Sequence, residues 1–471
     1  MSKILAFQTS DFSHWHSIVQ IGIISLILLL ANIVRRKIKL FRNLLFPTAI
    51  IGGFIGLGIK YLIFGLNLKI DGNFLLTNSF LEAITYHTIA LGFIAMGLKS
   101  VKKENSNEIK GRPFKTGLVI VNTYLLQGII GLGLTIILAL SFTKLANFGG
   151  ILLPLGFGQG PGQAGNIGGV FEENGFIGGK TFGLSVATIG TLWACVAGIY
   201  YINKRAKEGK VKRVEAEKSQ LVTPEIIEDL GEIPISEAID KMSIQIIFVV
   251  VVYFFSFLFI KGLTTLITVP AFQSLIWGFN FIFGMLFAML AKLILNSLRK
   301  AGWMKRKYTN EYMLNRITGV VFDYMIVASI MAIDIKMLAS IDLWVALLAI
   351  TTVGGFITYF YLKYTIYKIY PDYKHEAFAT LFGNLTGTAS NGIALLREID
   401  PDFKTPAADD LVTGSSTAVL FGAPILLITG VVYLPEWYYL WGSFIALIAC
   451  FILFTFLLHR KGKEKPSLTE K

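Results

Sequence analysis

The chain has 471 residues, of which 54% are hydrophobic and 15% charged, whereas a soluble globular protein carries about 25% charged residues. This composition excludes an ordinary soluble domain. The formal net charge is +13, but the basic residues stand in short clusters between apolar segments, which is typical of membrane topology signals rather than of a nucleic-acid-binding face.

Apolar segments long enough to cross the roughly 30 Å hydrocarbon core of a bilayer recur along the chain. The first of them is followed, not preceded, by a basic cluster, so we expect a retained helix rather than a cleavable signal peptide. Eleven helices are predicted to span the membrane: 15–34, 46–64, 80–98, 116–142 and 179–203 in the first half, and 243–262, 272–295, 313–336, 342–366, 408–432 and 438–458 in the second.

Two further segments, 149–172 and 376–397, are apolar at their ends and rich in glycine and amides in the middle. If both enter and leave on one side, nearly all basic clusters fall inside the cell, as the positive-inside rule requires. If 149–172 crossed fully, the basic run after Tyr201 would lie outside. The charges therefore predict that 149–172 dips in from outside and 376–397 from inside, in a plasma (inner) membrane protein whose N-terminus is outside and whose C-terminus is cytoplasmic.

Each half then contains five spanning helices and one re-entrant hairpin, so the second half runs upside down relative to the first. The two hairpins share the pattern G-x-x-x-G-x-A-x-N, at 158–166 and 383–391. Inverted repeats with broken segments near the midplane are a recurring transporter architecture. We predict an all-α polytopic membrane protein with these parts: a first repeat 1–203, a cytoplasmic linker 204–241, a second, inverted repeat 242–434, and an extra helix with a basic cytoplasmic tail 435–471.

Non-helical backbone at membrane depth persists only where it is buried in protein or lines a cavity, and glycine lets that backbone approach a ligand. Free N–H groups at the start of a half-helix attract an anion, and free carbonyls at its end suit a cation. The alternative for any one side chain is that it ties a hairpin to a neighbouring helix. The predicted substrate-binding residues are Gln159, Gly160, Gly162, Gln163, Asn166, Asn384, Thr386, Gly387, Thr388, Ser390 and Asn391.

An acid inside a span indicates function by default. Asp323, near the start of its predicted helix, either joins a sodium site or faces cytoplasmic water. Ser415 and Thr417 carry hydroxyl oxygens that suit the same hard cation. Apart from sodium as the coupling ion we expect no cofactor. The sequence contains no metal-spaced His/Cys/Asp/Glu cluster, HExxH, nucleophile elbow or Walker motif, so we expect no enzyme.

Five stretches between roughly residues 40 and 435 stand out: FPTAIIGG, HTIALGFIAMGLK, the glycine-rich segment that ends in Phe-Glu-Glu-x-Gly, the T-F-G-L helix and the second glycine segment. Together they resemble bacterial sodium/glutamate symporters, the glutamate:sodium symporter family. The resemblance implies two inverted halves with oppositely oriented re-entrant loops, and a homodimer. Where the family carries a GGxG motif, this chain reads GQGPG at 158–162 and GNLTG at 383–387.

The expected function is therefore sodium-coupled symport of glutamate or a related small anionic carboxylate by an elevator-like alternating-access mechanism. The alternative is a passive channel or facilitator, because glycine-rich re-entrant loops also build selectivity filters. One inverted repeat per chain, with different sequences at the two hairpin tips, favours a discrete binding site over a symmetric pore.

Overall fold

The computed structural model describes residues 12–43, 46–99, 111–142, 145–212, 240–267, 273, 276–304, 306–336, 340–400 and 404–459. Within this part of the chain, ten helices are long and apolar enough to cross a membrane. The chain is thus an all-α polytopic membrane protein, as the composition predicts. Most of the predicted linker, at 213–239, and the basic tail, at 460–471, lie outside the described residues.

Local sequence signals set several boundaries in the first half. Pro47 directly precedes a helix, and the Thr77 side chain caps the next one by accepting from the Phe80 N–H. The first-half elements are α1 (Phe12–Lys37), α2 (Lys39–Asn43), α3 (Thr48–Gly65), the antiparallel strands β1 (Lys69–Ile70) and β2 (Asn73–Phe74), α4 (Asn78–Leu98), α5 (Arg112–Ala139), α6, a segment of changing helical pitch (Gly149–Ile151, Leu152–Pro154 and Leu155–Gln159), α7 (Pro161–Glu173) and α8 (Gly179–Lys207).

In the second half, as in the first, long helices come before shorter ones. Asp240 and Asn310 cap two of the long helices through their side-chain oxygens. The elements are α9 (Lys241–Leu266), α10 (Asn280–Lys300), α11 (Glu311–Ala332), α12 (Ile341–Ile369), α13 (Lys374–Thr386), α14 (Ala389–Arg397), α15 (Ala407–Phe421), α16 (Ala423–Val431) and α17 (Trp437–His459).

The prediction of one uninterrupted helix over 408–432 is wrong. The chain forms α15 and α16 there, joined at Gly422, with Pro424 in the first turn of α16. Proline has no N–H to donate and its ring clashes with the preceding turn, so a helix breaks or kinks at this point. The described chain accordingly has ten uninterrupted spanning helices instead of eleven.

The helices form two bundles. The first, which we call the frame bundle, contains α1, α3, α4, α9, α10 and α11, and in it α4 packs against both α10 and α11 while α3 packs against α11. The second, the tip bundle, contains α5 to α8 and α12 to α17 and so carries both glycine-rich segments. The seam between the bundles runs along α4 and α11 on the frame side and α7 and α8 on the tip side.

The extra helix α17 belongs to the tip bundle. It packs along α5, where the buried Asn122 amide donates to the Thr455 hydroxyl at 2.8 Å and to the Tyr361 hydroxyl at 2.7 Å. Because these bonds join α5, α12 and α17 in an apolar surrounding, they fix the register of the three helices.

Candidate functional site

Both glycine-rich segments are broken helices. In the first, α6 ends at Gly160, whose φ of +89° favours glycine, and Pro161 opens α7 at the position where a missing N–H costs nothing. In the second, α13 ends at Thr386, and Gly387 and the extended Thr388 lead into α14. The sequence correctly predicts irregular backbone in both segments.

The two breaks meet each other. A Cβ built on Gly160 would lie 3.5 Å from Thr388 Cγ2, an ordinary van der Waals contact. Helix α8 passes both breaks at Gly190, where a Cβ would lie 2.5 Å from the Thr386 carbonyl oxygen and 2.7 Å from the Phe157 ring. Only glycine leaves room for both segments at this point, so α8 holds the two breaks side by side.

Helix α5 caps one backbone carbonyl of each broken segment. The Tyr124 hydroxyl donates to the Gly158 carbonyl at 3.0 Å, and the Gln127 amide donates to the Leu385 carbonyl at 2.9 Å and to the Thr358 hydroxyl at 3.0 Å. The Gly158 and Leu385 carbonyls therefore each have one lone pair engaged by a side chain of α5.

The two helices that follow the breaks, α7 and α14, have N-terminal ends without a side-chain cap. No side chain makes a capping hydrogen bond at the described N-terminus of α7 or of α14, so their first N–H groups keep a partial positive charge. In the first turn of α7, Gln163 is 4% exposed, and its Oε1 atom has no hydrogen-bond partner among the residues that the structure describes. A buried acceptor without a donor costs about 1–3 kcal/mol, which makes Gln163 the strongest ligand-binding candidate of the predicted set.

Other predicted binding residues hold the structure together. Asn166 donates across the seam to the Gly278 carbonyl and to Asn280 Oδ1, both at 3.4 Å. The Thr386 hydroxyl donates to the Phe382 carbonyl of its own helix at 2.7 Å. Asn166 thus ties its segment to the frame bundle, whereas the Thr386 hydroxyl bonds within its own helix.

At the second break the polar side chains contact one another. The Thr388 hydroxyl donates to Asn391 Oδ1 at 2.7 Å, and the Asn391 amide lies 3.9 Å from the Cys195 sulfur of α8. Asn384 is buried, and the Ser390 side chain lies outside the described residues.

A small cavity lies where the second break, at Gly387 and Thr388, which we also call the second tip, meets the seam. Its volume of about 10 Å³ is close to the least that holds one water molecule. Thr388 and Asn391 are the members of the predicted set that line it, together with apolar residues of both bundles. The lining residues are Pro47, Ile50, Pro161, Ala187, Thr188, Thr191, Ile326, Ile330, Thr388 and Asn391.

The three predicted sodium ligands lie in different surroundings. Asp323 is exposed and lies in the middle of α11, in the frame bundle, rather than near the start of its helix. Ser415 and Thr417 lie on α15 in the tip bundle, where the Thr417 hydroxyl donates to the Thr413 carbonyl at 2.8 Å and its Cβ faces Gly117 of α5.

The base of the second segment carries a buried histidine. His375 in the first turn of α13 is 8% exposed, and its Nδ1 lies 2.8 Å from the Tyr201 hydroxyl. Burial first, and then the positive charges of Arg205 and Lys374, lower the pKa of His375 to about 4. The imidazole is therefore neutral at physiological pH.

Sequence reasoning missed Tyr124 and Gln127, whose side chains cap the breaks. Their signal is present in the sequence, because polar side chains three residues apart inside an apolar helix lie on one face and must find partners.

Comparison with known proteins adds nothing to this geometry: no family model matches the sequence, and neither a curated protein nor a solved structure matches the chain.

Proposed function

We propose that the chain is a divergent member of the sodium/glutamate symporter family, and that it transports glutamate or a related small carboxylate with sodium by alternating access. The observation that carries the proposal is the contact of the two breaks, Gly160 against Thr388, beside the seam between two separately packed bundles. A site at such a seam changes its access when one bundle moves against the other.

The packing supports an inverted repeat. The second helix of each half packs against the third helix of the other half, α3 against α11 and α10 against α4. The two third helices, α4 and α11, also pack against each other, as do the two fourth helices, α5 and α12. Reciprocal contacts of this kind are expected when two halves are related by a pseudo-two-fold axis.

Helix length supports re-entrant hairpins. Helices α7 and α13 have 13 residues each and α14 has nine, so they rise about 20 Å and about 14 Å, at 1.5 Å per residue. None of them crosses a hydrocarbon core of about 30 Å. Helices that stop near the midplane beside each other are consistent with these short lengths and with basic loops that stay inside the cell.

The polar groups near the breaks fit an amino acid better than a simple anion. Uncapped N–H groups at the starts of α7 and α14 suit a carboxylate, whereas the orphan acceptor of Gln163 requires a donor such as an ammonium group. Glutamate carries both groups. The family resemblance extends the proposal to a homodimer in the inner membrane.

The small volume of the cavity, about 10 Å³, favours a carrier over a passive channel, because a conducting filter needs a continuous water-filled path. Electrical recording separates the two, since an open channel carries currents far above the turnover of any carrier.

Purified protein in proteoliposomes tests the proposal. We expect uptake of radiolabelled glutamate when sodium is high outside, and none when potassium replaces sodium. Inward movement of one positive charge gains about 2.3 kcal/mol per 100 mV of interior-negative potential. If each cycle carries more sodium charge inward than the substrate neutralises, uptake also rises when the vesicle interior is negative. Uptake of the same size without sodium contradicts the coupling. A thermal-shift screen of amino acids and dicarboxylates, with sodium or potassium, identifies the substrate if glutamate is wrong.

A further inference from the structure

Hydrogen bonds and an ion pair join the two bundles at one end of the seam. Lys180, in the first turn of α8, forms an ion pair with Glu82 of α4 at 2.7 Å. Its neighbour Thr181 accepts from the Asp334 N–H, just after α11 ends, at 3.3 Å. Both contacts link the tip bundle to the frame bundle, so this end of the seam is closed.

Helix α11 is enclosed on all sides in its last turns and has an exposed face in its earlier turns. Every residue from Val327 to Ile333 is buried, whereas Asn315, Gly319 and Asp323 are exposed. Residues spaced by three or four share a face of a helix, so these three lie on the same face as Ile326 and Ile330, which line the cavity at the second tip. The exposed face therefore leads from the start of α11 to the cavity.

This face does not have the composition of a surface that contacts lipid. The exposed residues of α9 include Ile247, Val250 and Phe254 and are apolar over most of its length. A carboxylate such as Asp323, in the middle of a span, is costly against lipid and is normally found facing protein or water.

We propose that the face of α11 carrying Asn315, Gly319 and Asp323 lines an aqueous route to the second tip, and that the Glu82–Lys180 pair with the Thr181–Asp334 bond forms the gate that closes the other end. The basic loop before α11 marks the open end as cytoplasmic. The inference rests on the proposed transport function, since a route open at one end and gated at the other is one state of an alternating-access cycle.

Single cysteines in full-length protein test the route. In a Cys195→Ser, Cys450→Ser background, Asn315→Cys and Gly319→Cys are labelled with a membrane-impermeant maleimide in inside-out and in right-side-out vesicles. We expect both to react only in inside-out vesicles, about tenfold faster than Val250→Cys on α9, because a thiol must ionise in water to react. Equal rates for all three positions would overturn the route.

The gate is tested with the same labels. Breaking a partly exposed ion pair shifts an equilibrium by about two- to fivefold, so Glu82→Gln should slow labelling of Gly319→Cys by that factor. It should also expose Ile89→Cys, which faces Gly162 across the seam, to the reagent in right-side-out vesicles. Glu436→Gln, at an exposed glutamate, is the matched control.

The charge-swapped double variant, Glu82→Lys with Lys180→Glu, should restore the original labelling pattern, which a misfolded protein could not do. No change with Glu82→Gln overturns the gate. Since labelling needs no substrate, an intact labelling pattern without glutamate uptake contradicts the transport proposal alone, and uptake with an unreactive Gly319→Cys contradicts the route alone.

Discussion

The two broken segments share a sequence pattern but not an environment. Around the first break the chain is buried from Gly149 to Gly158 and again from Gly160 to Gly168. At the second break Thr388 is half-buried and Ala389 is exposed. The break is thus enclosed in one half and partly exposed in the other, and the proposed alternating-access function requires such an asymmetry in any single state.

The breaks also fall at different places in the shared pattern. In the first segment the chain breaks at Gly160, two residues before the second glycine of the pattern, whereas in the second it breaks at Gly387, which is that glycine. If the helix starts are superposed instead, Gln163 corresponds to Asn391. The structural equivalent of Asn391 in the first segment is therefore Gln163 rather than Asn166.

The largest expected effect comes from tight packing in the first segment. A Cβ on Gly150 would lie 1.8 Å from the Gly131 carbonyl oxygen, so Gly150→Ala must push α6 away from α5. We expect a loss of about 3 kcal/mol or more in the free energy of unfolding, measured by thermal unfolding in detergent. Gly169→Ala, whose nearest neighbour is a lysine side chain at 3.9 Å, should be nearly neutral. Equal losses would mean that this packing is not tight.

Gln163 and Asn166 should respond in opposite ways. Gln163→Leu removes an acceptor that has no donor within the described part of the chain, so the fold should lose nothing while glutamate binding falls about 10- to 100-fold. Asn166→Leu breaks two hydrogen bonds across the seam and should lower the melting temperature. Melting temperatures with and without glutamate measure both effects in each variant. If the Gln163→Leu protein binds glutamate normally, Gln163 is not part of the binding site.

The second segment should be the acid-sensitive one. The pKa of His375 is lowered from its ordinary 6.5 to about 4 by burial, so the unfolded chain binds a proton that the folded chain refuses between these values. Stability is then retained above about pH 6.5 and falls as the pH drops toward 4, by about 1–3 kcal/mol. Melting temperatures of wild type and His375→Gln across this range provide the measurement. A parallel decline in both proteins would place the acid sensitivity elsewhere.

The smallest effect should come from the carbonyl cap of the first segment. Tyr124→Phe leaves the buried Gly158 carbonyl without its donor and should cost about 1–2 kcal/mol, seen as a lower denaturant midpoint. Tyr438→Phe, at an exposed tyrosine of α17, provides the comparison. If both changes have the same effect, a water molecule replaces the lost hydroxyl.

The sequence predicts the membrane class and both irregular segments, because apolar length and glycine content are local properties. It fails at 408–432, where Pro424 follows Gly422 inside an apolar run and breaks what hydropathy alone presents as continuous. It also cannot separate Gln163 from Asn166. Both are amides in α7, and only the packing shows that Asn166 donates to Asn280 whereas no donor among the described residues reaches the Gln163 Oε1 atom.

Helix α5 imposes a constraint on chain length. Tyr124 and Gln127 reach two separate breaks from adjacent turns of one helix, and each inserted or deleted residue rotates everything beyond it by about 100°. A single-residue insertion between them would turn one cap away from its carbonyl while leaving composition and hydropathy unchanged. In related chains we therefore expect the length of this stretch to vary less than its amino acids do.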